Sequence, residues 1–355
     1  MKFKKLTLHA AILVILVIAI QSCNQATGTD ELKTGVEHFR SLQFSETPYD
    51  IEKGLHQLSK EEAATVNNYK FTYDDMGRLV SLEFCRGDEL LSYGSLSGAA
   101  RIEYTYKEDK QIKSFFNKDG EQISSGGVYN AVYTLDEDGV RTALMFADEN
   151  SEPVENRNNI HRYEWSMLDN GMIRELRYNL ADEETIMNPF CPFYELRFEY
   201  DDKGYVIAMM NYQADTLYNC TAENCGDVGV SYFEFKNNEN GDLLSFSVHN
   251  TVGQLSNLYW GWAKRINKVD DNGYLIERAV FDQDDEYLSG KNVPVTQYSY
   301  DEHGALIEMK NMDKDRNLIN SPDNDVAVTR FEYDEKGNRT GSMRFDKDGA
   351  EIVNE

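Results

Sequence analysis

Cysteine residues are the first candidates for chemistry, because a thiolate can bind a metal, form a disulfide or accept a lipid. Cys220 and Cys225 lie close together in the sequence, so in an exported chain we expect them to form a disulfide that closes one loop. Cys85 and Cys191 are expected to be buried free thiols. These four thiols do not form two close pairs, and the histidines at 38, 56, 161, 249 and 303 lack ligand spacing. We therefore predict no metal site.

The densest aromatic segment is the second candidate. Tyr259, Trp260 and Trp262 lie within four residues. In a strand, both tryptophans would point to the same face, where open rings could stack on a sugar. Packing into the core is the alternative, because Tyr163 and Trp165 occupy the matching strand of another unit. These three residues are therefore candidate glycan-binding residues.

Carboxylates are abundant, but their pattern favours turns over catalysis. Aspartate-rich loops at 136–139 and 346–349 lack the further aspartate and the distal glutamate of an EF-hand loop. Weak divalent binding between neighbouring turns stays open. The sequence contains no nucleophile elbow, phosphate-binding loop or His-Glu-x-x-His motif. We expect no catalytic residues, no cofactor and no enzymatic activity.

The composition is that of a foldable and strongly acidic chain. It has 355 residues, of which 41% are hydrophobic, with 62 acidic and 36 basic side chains. The length suffices for two ordinary domains. Without residues 1–22, which contain three lysines and no acid, the formal charge is 33 minus 62, or −29, over 333 residues. Such a surface repels phosphate backbones, so we expect no nucleic-acid partner.

The first 22 residues have the pattern of an export signal. Lysines at 2, 4 and 5 precede an uncharged apolar run from Ala10 to Ile20. This run is too short to cross about 30 Å of hydrocarbon at about 1.5 Å per residue, so we expect cleavage. The segment from Ile20 to Cys23 resembles the lipobox of bacterial lipoproteins, which implies a lipid anchor on Cys23. An ordinary secretory signal with a chance cysteine is the alternative.

Asn24 follows the cysteine. It resembles the sorting residue of outer-membrane lipoproteins in many Gram-negative bacteria. The resemblance implies an outer-membrane location, and it leaves open whether the protein faces the periplasm or the cell surface.

One short phrase recurs along the chain. Its clearest copies are YDDMGRL at 73–79, YDDKGYV at 200–206, YDEHGAL at 300–306 and YDEKG at 333–337. The glycine of the phrase recurs as Gly77, Gly139, Gly171, Gly204, Gly241, Gly273, Gly304 and Gly337, with Lys110 in the glycine position of a ninth copy. From 77 to 337 the eight intervals cover 260 residues, a mean of 32.5. A fixed period of this length predicts a repeat architecture.

Each copy has a physical interpretation as a β-hairpin. Aromatic residues such as Phe71 and Tyr73 alternate with polar residues before the turn, which is typical of a half-buried strand. Aspartate lies three residues before the glycine in six of the nine copies. Aspartate favours the first position of a type I turn and glycine the fourth. A second strand and a second polar loop follow, so one unit consists of two strands and two turns.

These copies resemble the YD repeats of the rearrangement-hotspot class of bacterial secreted and surface proteins, and more loosely the MORN-type hairpin repeats of some bacterial antitoxins. The resemblance covers residues from about 69 to 355. It implies an all-β fold in which about nine antiparallel hairpin repeats form one long twisted or spiralling sheet. A propeller is disfavoured, because a blade needs about 40–45 residues. The toxin-enclosing members are far longer, and we expect no cargo domain in the 18 residues after Gly337.

The remaining segments complete the predicted organisation. Residues 1–22 are a signal peptide, 23–58 a lipidated tether and lead-in, and 59–355 the hairpin array. Ser59 and Glu62 form a capping-box pattern that predicts a short helix before the first strand. We expect a non-catalytic binding or scaffolding surface in the cell envelope, with an envelope protein or a glycan as the partner. The alternative is a glycan-binding surface lipoprotein that uses exposed aromatic residues.

Overall fold

A computed structural model describes residues 33–92, 96–185, 195–218, 230–258, 260–290 and 292–353. β-strands account for nearly all regular structure in these ranges, with a single short helix, α1, at Lys60–Ala63. None of the helical structure in these ranges has the length and apolar character needed to cross a membrane.

The strands follow one another at short intervals along the chain. They are β1 Gly35–Leu42, β2 Gly54–Leu58, β3 Asn68–Tyr73, β4 Leu79–Arg86, β5 Glu89–Leu90, β6 Arg101–Lys107, β7 Lys110–Phe116, β8 Asn130–Leu135, β9 Arg141–Ala147, β10 Arg162–Met167, β11 Ile173–Tyr178, β12 Glu195–Tyr200, β13 Val206–Gln213, β14 Thr216–Leu217, β15 Tyr232–Asn237, β16 Leu243–His249, β17 Lys264–Val269, β18 Leu275–Phe281, β19 Val295–Tyr300, β20 Leu306–Met312, β21 Val328–Tyr333 and β22 Arg339–Phe345.

All described pairings are antiparallel, and nearly all join strands that are neighbours in the chain. β3 pairs with β4, β4 with β6, and the order continues to β21 with β22. The two-residue strand β5 pairs with β4, and the two-residue strand β14 pairs with β13. The predicted all-β array of hairpin repeats is therefore confirmed.

The repeated phrase forms the turns, as the hairpin at Gly77 illustrates. The N–H of Gly77 donates to the carbonyl of Asp74 at 3.0 Å. The Asp74 carboxylate accepts hydrogen bonds from the N–H groups of Met76 and Arg78, both at 2.9 Å. One carboxylate thus satisfies two backbone donors that the strand ladder cannot reach, which explains the aspartate at this position.

The marker glycines supply the left-handed backbone that these turns need. All eight have φ between 77° and 92°. Beside several of the turns the ladder shifts register, for example between Thr72 and Tyr73 of β3. A type I turn followed by a left-handed residue and a bulge is a common hairpin geometry, and glycine adopts it without a steric penalty.

The ninth copy of the phrase differs from the others. Lys110, which occupies the glycine position, begins β7 and pairs with Lys107 at the end of β6. The connecting turn has only two residues, and Glu108 adopts the positive φ of 52°. Lys110 is therefore a strand residue, because the shorter turn ends before its position.

Tyrosines of the phrase join successive units. The hydroxyl of Tyr106 donates to the carbonyl of Leu79 at 3.0 Å, and that of Tyr300 donates to the carbonyl of Leu275 at 3.0 Å. Tyr333 repeats the contact with the preceding unit. Each ring therefore packs in its own unit while its hydroxyl binds the backbone of the unit before it.

The lead-in differs from the expected tether. β1 pairs with both β2 and β3, and Phe39, Leu55 and Leu58 are buried. The array therefore begins before residue 59, because β1 joins the sheet beside β3 and the ring of Phe39 packs against that of Phe71. The predicted short helix is confirmed: Ser59 caps α1, and Glu62 closes the capping box.

The sheet coils, so its late turns return to the beginning of the chain. The N–H of Ser92 donates to Oδ1 of Asn338 at 2.9 Å. The N–H of Asn67 donates to the carbonyl of His303 at 2.8 Å. These contacts between distant units show the spiralling form of the array.

Burial is uneven along this spiral. One large core cluster of buried side chains extends from Phe39 to Leu258. A second described cluster contains only Ala279, Val295 and Met312 as buried members. The first part of the sheet is therefore covered on one face, and the last part is covered much less.

Candidate functional site

The covering of the large core is a loop of the lead-in. Residues 43–53, which connect β1 to β2 and are called the plug loop here, pack on the face of the sheet that holds Tyr133 and Trp165. The rings of Tyr49 and Trp165 lie 5.6 Å apart, and those of Phe44 and Phe235 lie 5.1 Å apart. We call this face of the sheet the inner face. The plug loop brings polar and charged groups onto it.

Arg141, the first residue of β9, holds the backbone of the plug loop. Its Nη1 donates to the carbonyls of Pro48, Tyr49 and Asp50 at 3.0, 3.3 and 2.5 Å. Its Nε and Nη2 donate to Oε1 of Gln111 at 3.0 and 2.7 Å. The guanidinium is buried, so these acceptors replace the water it has lost.

Glu52 forms the best-compensated charge pair of the plug loop. It makes an ion pair with Lys113 of β7 and accepts a hydrogen bond from the hydroxyl of Tyr104 at 2.6 Å. Burial alone would raise the pKa of Glu52, but the positive charges of Lys113 and Arg141 lower it to about 2. Glu52 is therefore held as a carboxylate at neutral pH.

Glu175 of β11 binds the plug loop from the opposite direction. It accepts hydrogen bonds from the hydroxyl of Thr47 at 2.5 Å and from the indole N–H of Trp165 at 2.9 Å. Burial raises the pKa of Glu175. The positive charge of Arg177, whose Nε lies 3.7 Å from Oε1 of Glu175, acts to lower it. Two uncharged donors and one cation thus surround a buried carboxylate.

Two further carboxyls of the plug loop are less well compensated. Burial raises the pKa of Glu46 to about 7, against the attraction of Arg265. Burial and the neighbouring Arg278 lower the pKa of Arg265 to about 10. Burial also raises the pKa of Asp50, although the hydroxyl of Tyr200 donates to its Oδ1 at 2.7 Å.

These groups have perturbed pKa values of the kind found at catalytic sites, but three of them have a clear structural role. Arg141, Glu52 and Glu175 are engaged in holding the plug loop to the sheet. Structural ion-pair networks perturb pKa values as strongly as catalytic sites do. A cavity of about 210 Å³ remains between the loop and the sheet, lined in part by Phe44, Lys113 and Tyr133.

The predicted glycan-binding tryptophans are half-buried. Trp260 and Trp262 lie in the turn before β17, not in a strand, and both pack against the large core. Their rings stack at 4.9 Å, and the indole N–H of Trp260 donates to the carbonyl of Trp262 at 2.8 Å. Phe246 contacts both rings edge-on. This arrangement matches the core-packing alternative.

Several other predicted residues lie outside the described part of the chain: Cys23, Cys191, Cys220, Cys225 and Tyr259. Cys85 is described, and it is a buried free thiol as expected. Burial raises the pKa of Cys85 to about 12, which makes it unreactive. Within the described ranges, no three histidine, cysteine or acidic residues are grouped so that they could hold a metal ion.

The plug-loop contacts were not predicted, although the sequence contains a signal for them. Two residues past the marker glycine, most units have an aliphatic residue such as Leu79 or Val206, whereas Arg141 follows Gly139 and Arg339 follows Gly337. A charged side chain at a core position needs a buried partner. Glu175 and Arg177, on buried positions of β11, are a second departure of the same kind.

No protein-family model matches this sequence, and no curated protein matches it. Among solved structures, the chain is similar to the crystal structure of TcdB2-TccC3-TEV, with 14% identity, a TM-score of 0.24 and coverage of 79% of this chain and 14% of that one. The crystal structure of TcdB2-TccC3-Cdc42 is 12% identical with a TM-score of 0.26, and the match covers 88% of this chain and 19% of that one. The crystal structure of TcdB2-TccC3 is 13% identical with a TM-score of 0.21, and the match covers 83% of this chain and 17% of that one.

The chain thus spans less than a fifth of each of these structures. Similarity at this level leaves the function to be argued from the residues of this chain.

Proposed function

We propose that this protein is a lipid-anchored lipoprotein of the outer membrane that provides a non-catalytic binding or scaffolding surface in the cell envelope. The anchor would be the acylated Cys23. Two or three acyl chains exceed the single chain that gives only reversible binding, so attachment would be permanent.

The observation that supports a scaffold is the use of the buried ionisable groups. Arg141 binds three carbonyls of the plug loop, Glu52 pairs with Lys113, and Glu175 binds Thr47. These contacts fasten the lead-in, the segment nearest the proposed anchor, to strands from β6 to β12. They favour a rigid body over a site with reactive groups.

The charge of the turns restricts the partner. The second turn position of every marked copy is an exposed carboxylate: Asp75, Glu137, Asp169, Asp202, Glu239, Asp271, Glu302 and Glu335. The turn geometry uses the first and fourth positions, so these carboxylates are free to face a partner. A row of negative charges repels anionic polymers and supports a protein or neutral-glycan partner over nucleic acid.

The anchor is tested by replacing Cys23 with serine. Cells are grown with a labelled fatty acid, and the protein is followed in membrane and soluble fractions. We expect the substitution to abolish labelling and to move the protein out of the membrane fraction. Cys85→Ala is the matched control and should retain the label, because Cys85 is buried and unreactive. Equal labelling of the Cys23→Ser variant would contradict the proposal.

The binding role is tested with the unlipidated chain from residue 24 and isolated envelopes of cells that lack the protein. The scaffold predicts saturable co-sedimentation, and its absence would contradict a binding surface. Protease added to intact cells then determines the membrane face, because only a surface-exposed protein is digested.

A further inference from the structure

The last six strands, β17 to β22, separate their charges between the two faces of the sheet. Tyr298 and Phe331 occupy the position of Tyr133 in later copies, six residues before the marker glycine, so they lie on the inner face. The charged residues of these strands on the inner face are four arginines: Arg265, Arg278, Arg339 and Arg344. The acidic residues of the same strands all lie on the outer face: Glu277, Glu308 and Glu332. This part of the inner face is therefore positive, in a protein whose formal charge is −26.

The positive charge of this face is only partly neutralised. Nε of Arg278 donates to the uncharged Oδ1 of Asn267 at 3.4 Å, and its guanidinium lies over the ring of Tyr298 at 5.8 Å. Burial and the repulsion of Arg278 lower the pKa of Arg265, and the carboxyl of Glu46 opposes them only in part. A carboxylate brought to Arg278 would therefore gain an ion pair that the described residues do not provide.

The same face offers apolar surface beside these cations. Leu275, Tyr298, Met309 and Phe331 are half-buried, whereas the equivalent ring of Phe198 in the first part of the sheet is fully buried. A contiguous surface of exposed apolar side chains commonly marks an interaction site. Arginine and aromatic residues are also the side chains enriched in protein interfaces.

The plug loop shows what kind of segment covers the inner face of this protein. Residues 43–52 contain two aromatic rings, three acidic residues and no cation. Phe44 and Tyr49 pack on rings of the sheet, and Glu52 pairs with a cation of the sheet. Arg339 lies at the repeat position of Arg141, which binds the backbone of the plug loop. The last part of the sheet thus presents the kind of surface that an acidic, aromatic segment covers in the first part.

Nucleic acid is the competing partner for arginines beside aromatic rings. A long polyanion would extend past this face to the exposed carboxylates of the turns, such as Glu302 and Glu335, which repel it. A short acidic segment of a protein stays within the face. The charge of the turns therefore favours a protein over nucleic acid.

We propose that the inner face of β17 to β22 binds an acidic segment of a partner protein that also carries aromatic side chains. The carboxylates of this segment would pair with Arg278 and its neighbouring arginines, and the aromatic side chains would pack against Met309 and Phe331. This inference rests on the proposed binding role and names the partner chemistry of one part of that surface.

The test uses the purified full chain and a fluorescent peptide with the sequence of residues 43–52 and blocked termini, in anisotropy titrations. A companion peptide has glutamine or asparagine in place of its three acidic residues. We expect the acidic peptide to bind at least about tenfold more tightly, because the companion loses its ion pairs with the arginines. Equal affinities of the two peptides, or no binding of either, would overturn the proposal. Equally tight binding of a thymidine tetranucleotide of the same charge would also overturn it, in favour of a nucleic-acid surface.

Two substitutions on β22 locate the binding. Ser342 and Thr340 are both exposed, and Ser342 lies opposite Phe331 on the inner face, whereas Thr340 points to the outer face. Ser342→Glu should weaken the acidic peptide at least about fivefold, because it places a like charge on the binding face. Thr340→Glu adds the same charge to the protein and should leave the affinity unchanged. Equal effects of the two substitutions would contradict the assignment to the inner face.

A second pair of variants removes a charge. Arg278→Gln should weaken the acidic peptide about three- to fivefold, through the loss of one partly exposed ion pair. Arg330→Gln is the matched control on the outer face, where Arg330 pairs with Glu308, and should have no effect. An equal loss for both variants would show that only the overall charge matters, against the proposal.

Co-sedimentation with envelopes remains a separate readout. Loss of peptide binding with co-sedimentation retained contradicts only this docking surface, and loss of co-sedimentation contradicts the scaffold.

Discussion

The same repeat is buried to different extents in two regions of this molecule. Phe71, Phe198 and Phe235 precede their turns in the first region and are buried. The equivalent residues Tyr298 and Phe331 of the last units are only half-buried. The local sequence pattern is alike in both regions, so the difference must come from what lies over the strands.

The plug loop accounts for this difference. It packs over strands of the first region, through rings such as Tyr49 against Trp165 and charges such as Glu52 against Lys113. A hairpin sheet buries one face only if another layer covers it. In this protein the lead-in provides the second layer for the first region.

The last units use weaker devices on the exposed face. The guanidinium of Arg339 lies over the ring of Phe331 at 3.9 Å, and that of Arg278 over Tyr298 at 5.8 Å. Hydroxyls of Tyr300 and Tyr333 also bind the preceding unit. These contacts join neighbours without forming a deep core, as in other repeat arrays.

The largest expected effect follows from removing the cation of the first region. Arg141→Met should lower the free energy of unfolding by about 3–5 kcal/mol, because Glu52 and three loop carbonyls lose a buried partner. Arg339→Met removes the arginine at the same repeat position in the last unit and should cost about 1 kcal/mol or less. Urea unfolding measures both, and equal losses would contradict the assigned role of the plug loop.

Core truncation should separate the regions similarly. Leu144 of β9 is fully buried in the first region, so Leu144→Ala should lower the free energy of unfolding by about 2–5 kcal/mol. Leu306 is half-buried in the last region, and Leu306→Ala should cost only about 1 kcal/mol, since less apolar surface is lost. Chemical denaturation of both variants provides the comparison; a larger loss for Leu306→Ala would refute it.

The free energy of unfolding should depend on pH through Glu46 of the plug loop. The pKa of Glu46 is about 7 in the folded protein against 4.5 as its ordinary value. The folded state therefore binds the extra proton between these values, and stability falls as pH rises from about 4.5 to 7. At roughly 1.4 kcal/mol per pKa unit, the contribution is at most about 3.5 kcal/mol.

Glu46→Gln should remove this decline when unfolding is measured at pH 5 and pH 7.5. Glu308→Gln is the control from the last region. Lys310 and Arg330 overcome burial and lower the pKa of Glu308, so its contribution is present above about pH 4.5 and is lost at lower pH. An unchanged decline in Glu46→Gln would show that Glu46 is not buried against the sheet.

The smallest expected effects come from two tyrosine hydroxyls. Tyr300→Phe removes one bond to the carbonyl of Leu275 and should cost about 0.5–1.5 kcal/mol. Tyr200 instead donates to Asp50 of the plug loop, and Tyr200→Phe should cost about 1–3 kcal/mol because a buried carboxylate loses its donor. Thermal unfolding of both variants compares the two losses in stability. A larger loss for Tyr300→Phe than for Tyr200→Phe would contradict the role of Tyr200 in holding the plug loop.

Much of the repeat could be predicted from sequence because its determinants are local. Asp74 and Gly77 specify a turn within four residues, and Ser59 with Glu62 specifies the start of α1 within the same distance. Such interactions are visible in any window of the chain. The order of the strands follows, because short turns place successive strands side by side.

The plug loop could not be predicted in this way, because its partners are distant in sequence. Thr47 binds Glu175, which lies 128 residues away, and Asp50 binds Tyr200 at a separation of 150. The loop's polar composition alone is typical of a tether. Arg141 indicated that a buried partner was needed, but nothing near it in sequence identified that partner.

The most direct test of the plug loop as the second layer is hydrogen exchange on the native protein and on a variant whose residues 44–52 are replaced by a glycine–serine linker of equal length. We predict slow exchange in β8 to β12 of the native protein and faster exchange in β19 to β22. In the variant, β8 to β12 should approach the rates of β19 to β22, which themselves should not change. Unchanged protection of β8 to β12 in the variant would contradict the account.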